Sequence, residues 1–192
     1  MKRSLYICKK SVAAHHGAAT VEFALVALLF FTLMFGVIEF GRVIFLWNTV
    51  QEVTRHAARD ATVSDFTDAG AMNQVKQNAI FRSTPGQLIL GGAIDDTYVR
   101  INYLNASMNE VDISLTCPSQ NISTCLSDPD GASCIRFVQA RLCQPGGGTC
   151  NAVPYTPMVP LLAPFFTAVT IPPSQVVMPA ESLGYRPSLG SC

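Results

Sequence analysis

The feature that most constrains this chain is a long apolar segment near its N-terminus. Phe23 to Ile38 carries no charged residue and consists mostly of large apolar side chains. As a helix it would extend about 24 Å at 1.5 Å per residue, short of a hydrocarbon core of about 30 Å. Continuing to Trp47 gives roughly 37 Å and places Trp47 near the headgroups, where Trp is common. We therefore predict a transmembrane helix over residues 18–47.

Residues 1–17 form a short basic leader before this segment. It contains no acidic residue and four basic ones, Lys2, Arg3, Lys9 and Lys10. An excess of Lys and Arg beside a membrane helix keeps that side in the cytoplasm. The sequence therefore predicts a single-pass protein with a cytoplasmic N-terminus and an exported C-terminal part.

Other interpretations of the apolar segment remain. A cleaved secretory signal normally has an apolar core of about 7 to 15 residues and a small-x-small cleavage site, and residues 40–54 offer no good site. An uncleaved anchor that carries an extracytoplasmic binding module is a simpler alternative. A buried core helix of a soluble protein is disfavoured, because the segment is continuously apolar and has a basic flank.

Three charged residues lie within the predicted transmembrane helix of residues 18–47 but outside its uncharged stretch. Glu22 stands at its start, where burying a carboxylate in hydrocarbon costs about 2.5–3.5 kcal/mol; Glu22 therefore has either a specific partner or a place among the headgroups. Glu39 and Arg42 are three residues apart on one helical face. They either pair within the helix or both reach the outer interface.

The composition of the remainder argues against several functions. Beyond the leader the chain has nine basic and thirteen acidic residues, so it offers no basic patch for nucleic acid. Only His56 remains there as a histidine, flanked at spacings of four by Glu52 and Asp60. No nucleophile elbow, phosphate-binding loop, zinc-protease or dinucleotide motif is present. We expect neither an enzyme nor a cofactor or metal.

The cysteines indicate an exported, oxidised body. Cys8 lies in the leader, and the other six follow the apolar segment: Cys117, Cys125, Cys134, Cys143, Cys150 and Cys192. An even number in an exported domain predicts disulfides, with fifteen connectivities open. A zinc site is less well supported because no C-x-x-C pair occurs. Cys143 and Cys150 flank a Gly-rich loop and are the first pair we expect.

The apolar helix is predicted to continue into the exported part, to about Val63. Its apolar residues recur at spacings of three and four while polar residues occupy the other faces, and they are Val43, Leu46, Val50, Val53, Ala57, Ala58 and Ala61. A second helix is predicted over Ala71 to Arg82, with Asp68 as a candidate N-cap. Residues 48–82 thus form the helical base of the head.

The rest of the chain, residues 83–192, has the period-two pattern of strands. Strands are predicted over Tyr98–Tyr103, over Val111–Leu115 after a hairpin turn, and over Ile135–Leu142. A further strand is expected at Ala168–Ile171 or Val176–Met178, and the polar residues 119–133 contain a predicted turn at Asp128–Gly131. The fold class is therefore α+β: a long N-terminal helix packed against a small antiparallel sheet, braced by disulfides.

The N-terminal residues resemble a known family. The stretch Gly17-Ala-Ala-Thr-Val-Glu22-Phe, the later Phe35-Gly-Val-Ile-Glu-Phe-Gly-Arg42 and the Ala- and Arg-rich Arg55 to Ala61 are similar to the TadE-like minor pilins, or pseudopilins, of the tight-adherence (Flp) type IV pilus system. The resemblance covers residues 17–63. The six-cysteine head is not a signature of that family.

The resemblance implies a precursor in the bacterial inner membrane that a prepilin peptidase cuts after Gly17. Ala18 would become the N-terminus and Glu22 its fifth residue, where pilins carry a glutamate. The implied partners are the peptidase, other pilin or pseudopilin subunits, the pilus assembly platform and the lipid bilayer. The implied role is assembly or initiation of the pilus, in the filament or at its base, since major subunits of that system are generally much shorter.

Overall fold

The computed structural model describes residues 16–146 and 148–187. The basic leader up to His15 and Cys192 lie outside the described residues. The chain divides into two units, Met1–Ile38 and Glu39–Cys192.

One helix, α1, runs from His16–Val63 and confirms the predicted long N-terminal helix. Within it, none of residues 17–38 is buried. By length and composition α1 can cross a membrane, and its most apolar stretch has a mean hydropathy of 2.5. Such a surface is costly in water because large apolar side chains gain free energy when they leave it.

From Glu39 onward, one face of α1 forms the core of the second unit. The predicted apolar stripe is confirmed, because all seven of its residues are at most 4% exposed: Val43, Leu46, Val50, Val53, Ala57, Ala58 and Ala61. Facing them are side chains from the strands and loops, among them Val99, Ala140, Leu142, Val153, Tyr155 and Ile171. Residues 39–46, which the sequence analysis placed in the membrane span, thus contribute side chains to the packed head.

A second helix, α2, spans Ala69–Ala79. Asp68 caps it as predicted, its carboxylate accepting the backbone N–H groups of Gly70 at 2.8 Å and Ala71 at 3.2 Å. The predicted end at Arg82 is too late. Phe81 takes a left-handed backbone conformation with φ of 60°, which ends the helical hydrogen bonding.

The main sheet has three antiparallel strands: β1 (Val99–Leu104), β2 (Phe137–Leu142) and the later β5 (Gln175–Pro179), with β2 in the centre. Val99 pairs with Leu142, and Arg141 with Gln175. A two-stranded ribbon of β3 (Val153–Pro154) and β4 (Thr170–Ile171) lies apart from it. Both regions proposed for a last strand are therefore strands.

One sequence expectation about this region is wrong. Val111–Leu115 is not a strand; Ile113–Leu115 is a short 3₁₀ helix, because the Asp112 carboxylate accepts the Ser114 N–H at 2.9 Å and holds a local turn. Helix α3 occupies Pro118–Ser127, and the predicted turn at Asp128–Gly131 follows it, with the Gly131 N–H donating to the Asp128 carbonyl at 3.2 Å. Proline suits the first turn of a helix, where its missing N–H has no partner to lose.

Disulfides brace the loops, as expected. Cys143 pairs with Cys150, the first expected pair, and Cys125 pairs with Cys134. Their Cα atoms are 4.9 Å and 5.0 Å apart, within the ordinary range. Cys117 is disulfide-bonded as well. The α+β, disulfide-braced fold class is confirmed.

Replacing Cys125 and Cys134, or Cys143 and Cys150, by serine should lower the free energy of unfolding by about 2–3 kcal/mol per pair. Each bond closes a short loop, with sequence separations of nine and seven, and so removes only moderate entropy from the unfolded chain. Urea unfolding of the full chain in bilayer nanodiscs, followed by protease susceptibility, measures the change. Cys8→Ser should leave the midpoint unchanged; an equal loss there would contradict this account.

Candidate functional site

The residues singled out from the sequence fall into two groups on α1. Gly17, Ala18 and Glu22 belong to the first unit, and Glu39 and Arg42 to the second. Each group is described by itself.

The N-terminal group is open to its surroundings. Ala18 and Glu22 are exposed, and a Cβ placed on Gly17 would meet nothing within 4 Å. The neighbouring apolar side chains are exposed too, with Val21 at 61% and Phe23 at 74%. Among the described residues, no side chain buries Ala18 or Glu22, so these positions are accessible to a protease or another helix.

Glu39 and Arg42 form a buried ion pair. Arg42 Nη1 donates to Glu39 Oε1 at 2.9 Å, and the two side chains are only 7% and 2% exposed. Helical geometry brings the residues together, because positions three apart are neighbours on the helix surface. Both side chains are withdrawn from solvent, so Glu39 and Arg42 form an ion pair inside the head.

Additional hydrogen bonds complete this Glu39–Arg42 cluster. The Tyr155 hydroxyl donates to Glu39 Oε1 and accepts from Arg42 Nη1 at 3.0 Å. The Met158 backbone N–H also donates to Glu39 Oε1, at 3.0 Å. A buried carboxylate with several donors is stabilised, whereas an unpaired one would carry the full desolvation penalty.

Arg42 reaches two separate loops. Its Nε donates to the Leu90 carbonyl at 2.9 Å, and Nη1 donates to the Thr156 carbonyl at 2.9 Å. Its guanidinium also lies over the Tyr155 ring, 5.1 Å from the centroid, a cation–π distance. Arg42 thereby ties the first turn of α1 in the head to the loops around Leu90 and Thr156.

The sequence did not predict the partners of Glu39 and Arg42. Tyr155, Thr156 and Met158 are more than a hundred residues away in the chain, and most of the contacts use backbone atoms, which leave no sequence pattern. The available signal was Tyr155 itself, a hydrogen-bonding aromatic at the start of an uncharged, Pro-rich stretch.

Burial raises the pKa of Tyr155 to about 12, and the hydrogen bond to Glu39 acts in the same direction. Burial and the nearby Asp65 charge raise the pKa of Tyr103 further. Titrating phenolate absorbance should therefore show two late-ionising tyrosines among the five in the chain, and Tyr155→Phe should remove one of them. Tyr103→Phe serves as the parallel control. An unchanged high-pH limb in Tyr155→Phe would contradict this placement.

The described part of the chain holds no group of three or more His, Cys, Asp and Glu side chains that could bind a metal ion. The Glu39–Arg42 cluster consists of a buried ion pair and hydrogen bonds. The N-terminal group lies on an exposed apolar stretch of α1. Such an arrangement is suited to packing and anchoring.

Together these features define a protein with an uncovered apolar helix and a disulfide-braced head. Residues 17–59 match the sequence model of a family described as TadE-like protein, which confirms the resemblance over this segment. The match supports involvement in the tight-adherence pilus system. No curated protein and no solved structure matches the chain significantly.

Proposed function

We propose that this chain is a membrane-anchored minor pilin or pseudopilin that acts in assembly or initiation of a tight-adherence (Flp) pilus. The observation that carries the proposal is the TadE-like match over residues 17–59, the stretch that contains Gly17, Ala18 and Glu22. The uncovered apolar surface of residues 17–38 supports it, since pilus subunits associate through such helices.

We further propose that Ala18–Ile38 crosses the hydrocarbon. This stretch of about 21 residues would extend roughly 31 Å, close to the bilayer thickness. It is shorter than the span to Trp47 predicted from the sequence, because Glu39, Arg42, Val43 and Leu46 pack within the head. The N-terminus would face the cytoplasm and the head would be exported from the bacterial inner membrane.

Processing gives Glu22 its role in this proposal. A prepilin peptidase cuts after Gly17 and frees the Ala18 ammonium four residues before the Glu22 carboxylate. Opposite charges attract strongly at low dielectric, and pairing offsets the desolvation of both groups within one subunit or between neighbours. Ala18, Ala19, Ala24, Ala27 and Gly36 permit close approach of other helices in lipid.

Glu22→Ala tests the proposal in cells that assemble the pilus. We expect the variant to insert and to be cleaved, but the yield of sheared pili to fall severely, because the new N-terminus of the helix loses its carboxylate partner. Glu52→Ala removes an exposed glutamate of the same helix and should leave the yield unchanged.

Unchanged piliation in Glu22→Ala would make Glu22 a headgroup contact. Retention of the full precursor together with normal piliation would favour the alternative, an uncleaved anchor for an extracytoplasmic binding module.

A further inference from the structure

Four exposed apolar side chains lie on the loops that bind Glu39 and Arg42. We call them the apolar rim: Leu90, Met158, Leu161 and Phe165, which are 49%, 64%, 59% and 75% exposed. Exposed Phe, Leu and Met side chains on loops that contact one ion pair are candidates for an interaction surface.

Hydrogen bonds fix the position of the apolar rim on the head. The Leu90 carbonyl accepts from Arg42, and the Met158 N–H donates to Glu39. Leu161 and Phe165 lie in the 3₁₀ helix Pro160–Phe165, which follows shortly after Met158. Glu39 directly follows Ile38, so the rim flanks the turn of α1 that comes next in the chain after the apolar segment.

The chain around the apolar rim carries no charge. No Asp, Glu, Lys or Arg occurs between Arg82 and Asp95, nor between Arg141 and Glu181. A charged side chain is costly in hydrocarbon, and its absence from both loops is what a lipid-facing surface requires. A surface that met only water would carry no such restriction.

Leu90 has an uncommon backbone conformation. Its φ is 57°, a left-handed conformation that a residue with a branched side chain rarely adopts. The Arg42 hydrogen bond to the Leu90 carbonyl holds this conformation while the side chain stays half exposed.

We propose that the apolar rim inserts into the interfacial layer of the leaflet on the exported side, with lipid acyl chains as its partner. The inference rests on the proposed span of Ala18–Ile38, since Glu39, which accepts from the Met158 N–H of the rim, is the next residue in the chain after that span. Burial of the rim in lipid removes apolar area from water. It also fixes how the head stands on the membrane before any subunit contact forms.

Fluorescence quenching by brominated lipid acyl chains tests this proposal on the full chain in nanodiscs. Trp47 is the chain's single tryptophan, so a Trp47→Phe background leaves one reporter per variant. Phe165→Trp and Met158→Trp report on the rim, and Leu126→Trp is the control, at 80% exposure. We expect both rim reporters to lose most of their emission in brominated relative to unbrominated lipid.

The control lies at the other end of the head. Leu126 adjoins the Cys125–Cys134 disulfide, next to Ile135, which belongs to the same buried cluster as Ala61. Ala61 is about 33 Å along α1 from Glu39 at 1.5 Å per residue. The Leu126→Trp reporter should therefore keep its emission in both brominated and unbrominated lipid.

Four results would overturn the proposal. If the rim reporters of a membrane-inserted chain are not quenched, the rim does not insert into lipid, and the proposed anchor of Ala18–Ile38 is unaffected. Equal quenching of Leu126→Trp would indicate that the whole head lies on the bilayer without a specific surface. Rim emission that shifts with the number of chains per nanodisc, but not with bromination, would assign the rim to a second copy. A chain that fails to float with lipid would overturn the anchor as well.

Discussion

Arg42→Ala should lower the free energy of unfolding of the head by about 3–5 kcal/mol, the usual cost of removing one partner from a buried ion pair. The variant leaves the Glu39 carboxylate buried without its cation, and it also removes the bonds to the Leu90 and Thr156 carbonyls. Urea unfolding of the full chain in nanodiscs, read by protease susceptibility, measures the loss. Glu39→Gln added to Arg42→Ala should recover part of it, because a neutral amide can still accept from Tyr155 and Met158.

The same helix provides a matched control. Glu52 and Arg55 have the same residue types and the same spacing, with 2.6 Å between Arg55 Nη1 and Glu52 Oε1, but their side chains are 51% and 57% exposed. Exposed pairs contribute at most about 1 kcal/mol, so Arg55→Ala should have a small effect. Similar losses for Arg42→Ala and Arg55→Ala would show that burial of the first pair has no energetic consequence.

Replacing Gly17 by leucine should abolish processing and, with it, piliation. A Cβ at Gly17 would meet nothing within 4 Å, so the chain itself has room for a side chain. Under the proposed processing, the defect would arise in the peptidase cleft, because leucine adds a side chain and restricts the backbone at the position before the cut. Immunoblots of membranes should show only the precursor, with no fibres in the sheared fraction.

Gly36→Leu is the control for a changed glycine in the same helix. A Cβ at Gly36 also meets nothing within 4 Å, and this residue lies far from the proposed cut. The variant should be processed normally, although it can weaken helix packing in lipid. Normal maturation of Gly17→Leu would remove the basis for placing the cut after Gly17.

The helical half of the head could be predicted from the sequence, since its signals are local. Spacings of three and four identified every residue of the apolar stripe from Val43 to Ala61, and one Asp identified the start of α2. Each of these signals depends on residues that are only a few positions apart in the chain. Packing against the sheet then favoured the same face of α1.

The wrong strand at Val111–Leu115 shows where local signals compete. Alternating apolar residues predict a strand, but the Asp112 side chain accepts from both the backbone and the hydroxyl of Ser114 and stabilises a turn instead. Leu115 is consequently 78% exposed. The alternating pattern of apolar residues could not show that Leu115, the last of them, packs against no core.

The buried cluster could be predicted only in part. The spacing of Glu39 and Arg42 favoured a pair, but two alternatives remained because their environment depends on loops far away in the chain. Tyr155 and the backbone groups of Leu90, Thr156 and Met158 contact the pair although they are 48 or more residues away in the chain. Long-range contacts of this kind follow from the tertiary structure.

The mature N-terminus tests the central claim most directly. Mass spectrometry of the protein from cells with and without the prepilin peptidase distinguishes a processed pilin from an uncleaved anchor. We expect Ala18 as the first residue when the peptidase is present, and the intact leader when it is absent. A chain that keeps Met1 in both strains would contradict the pilin assignment.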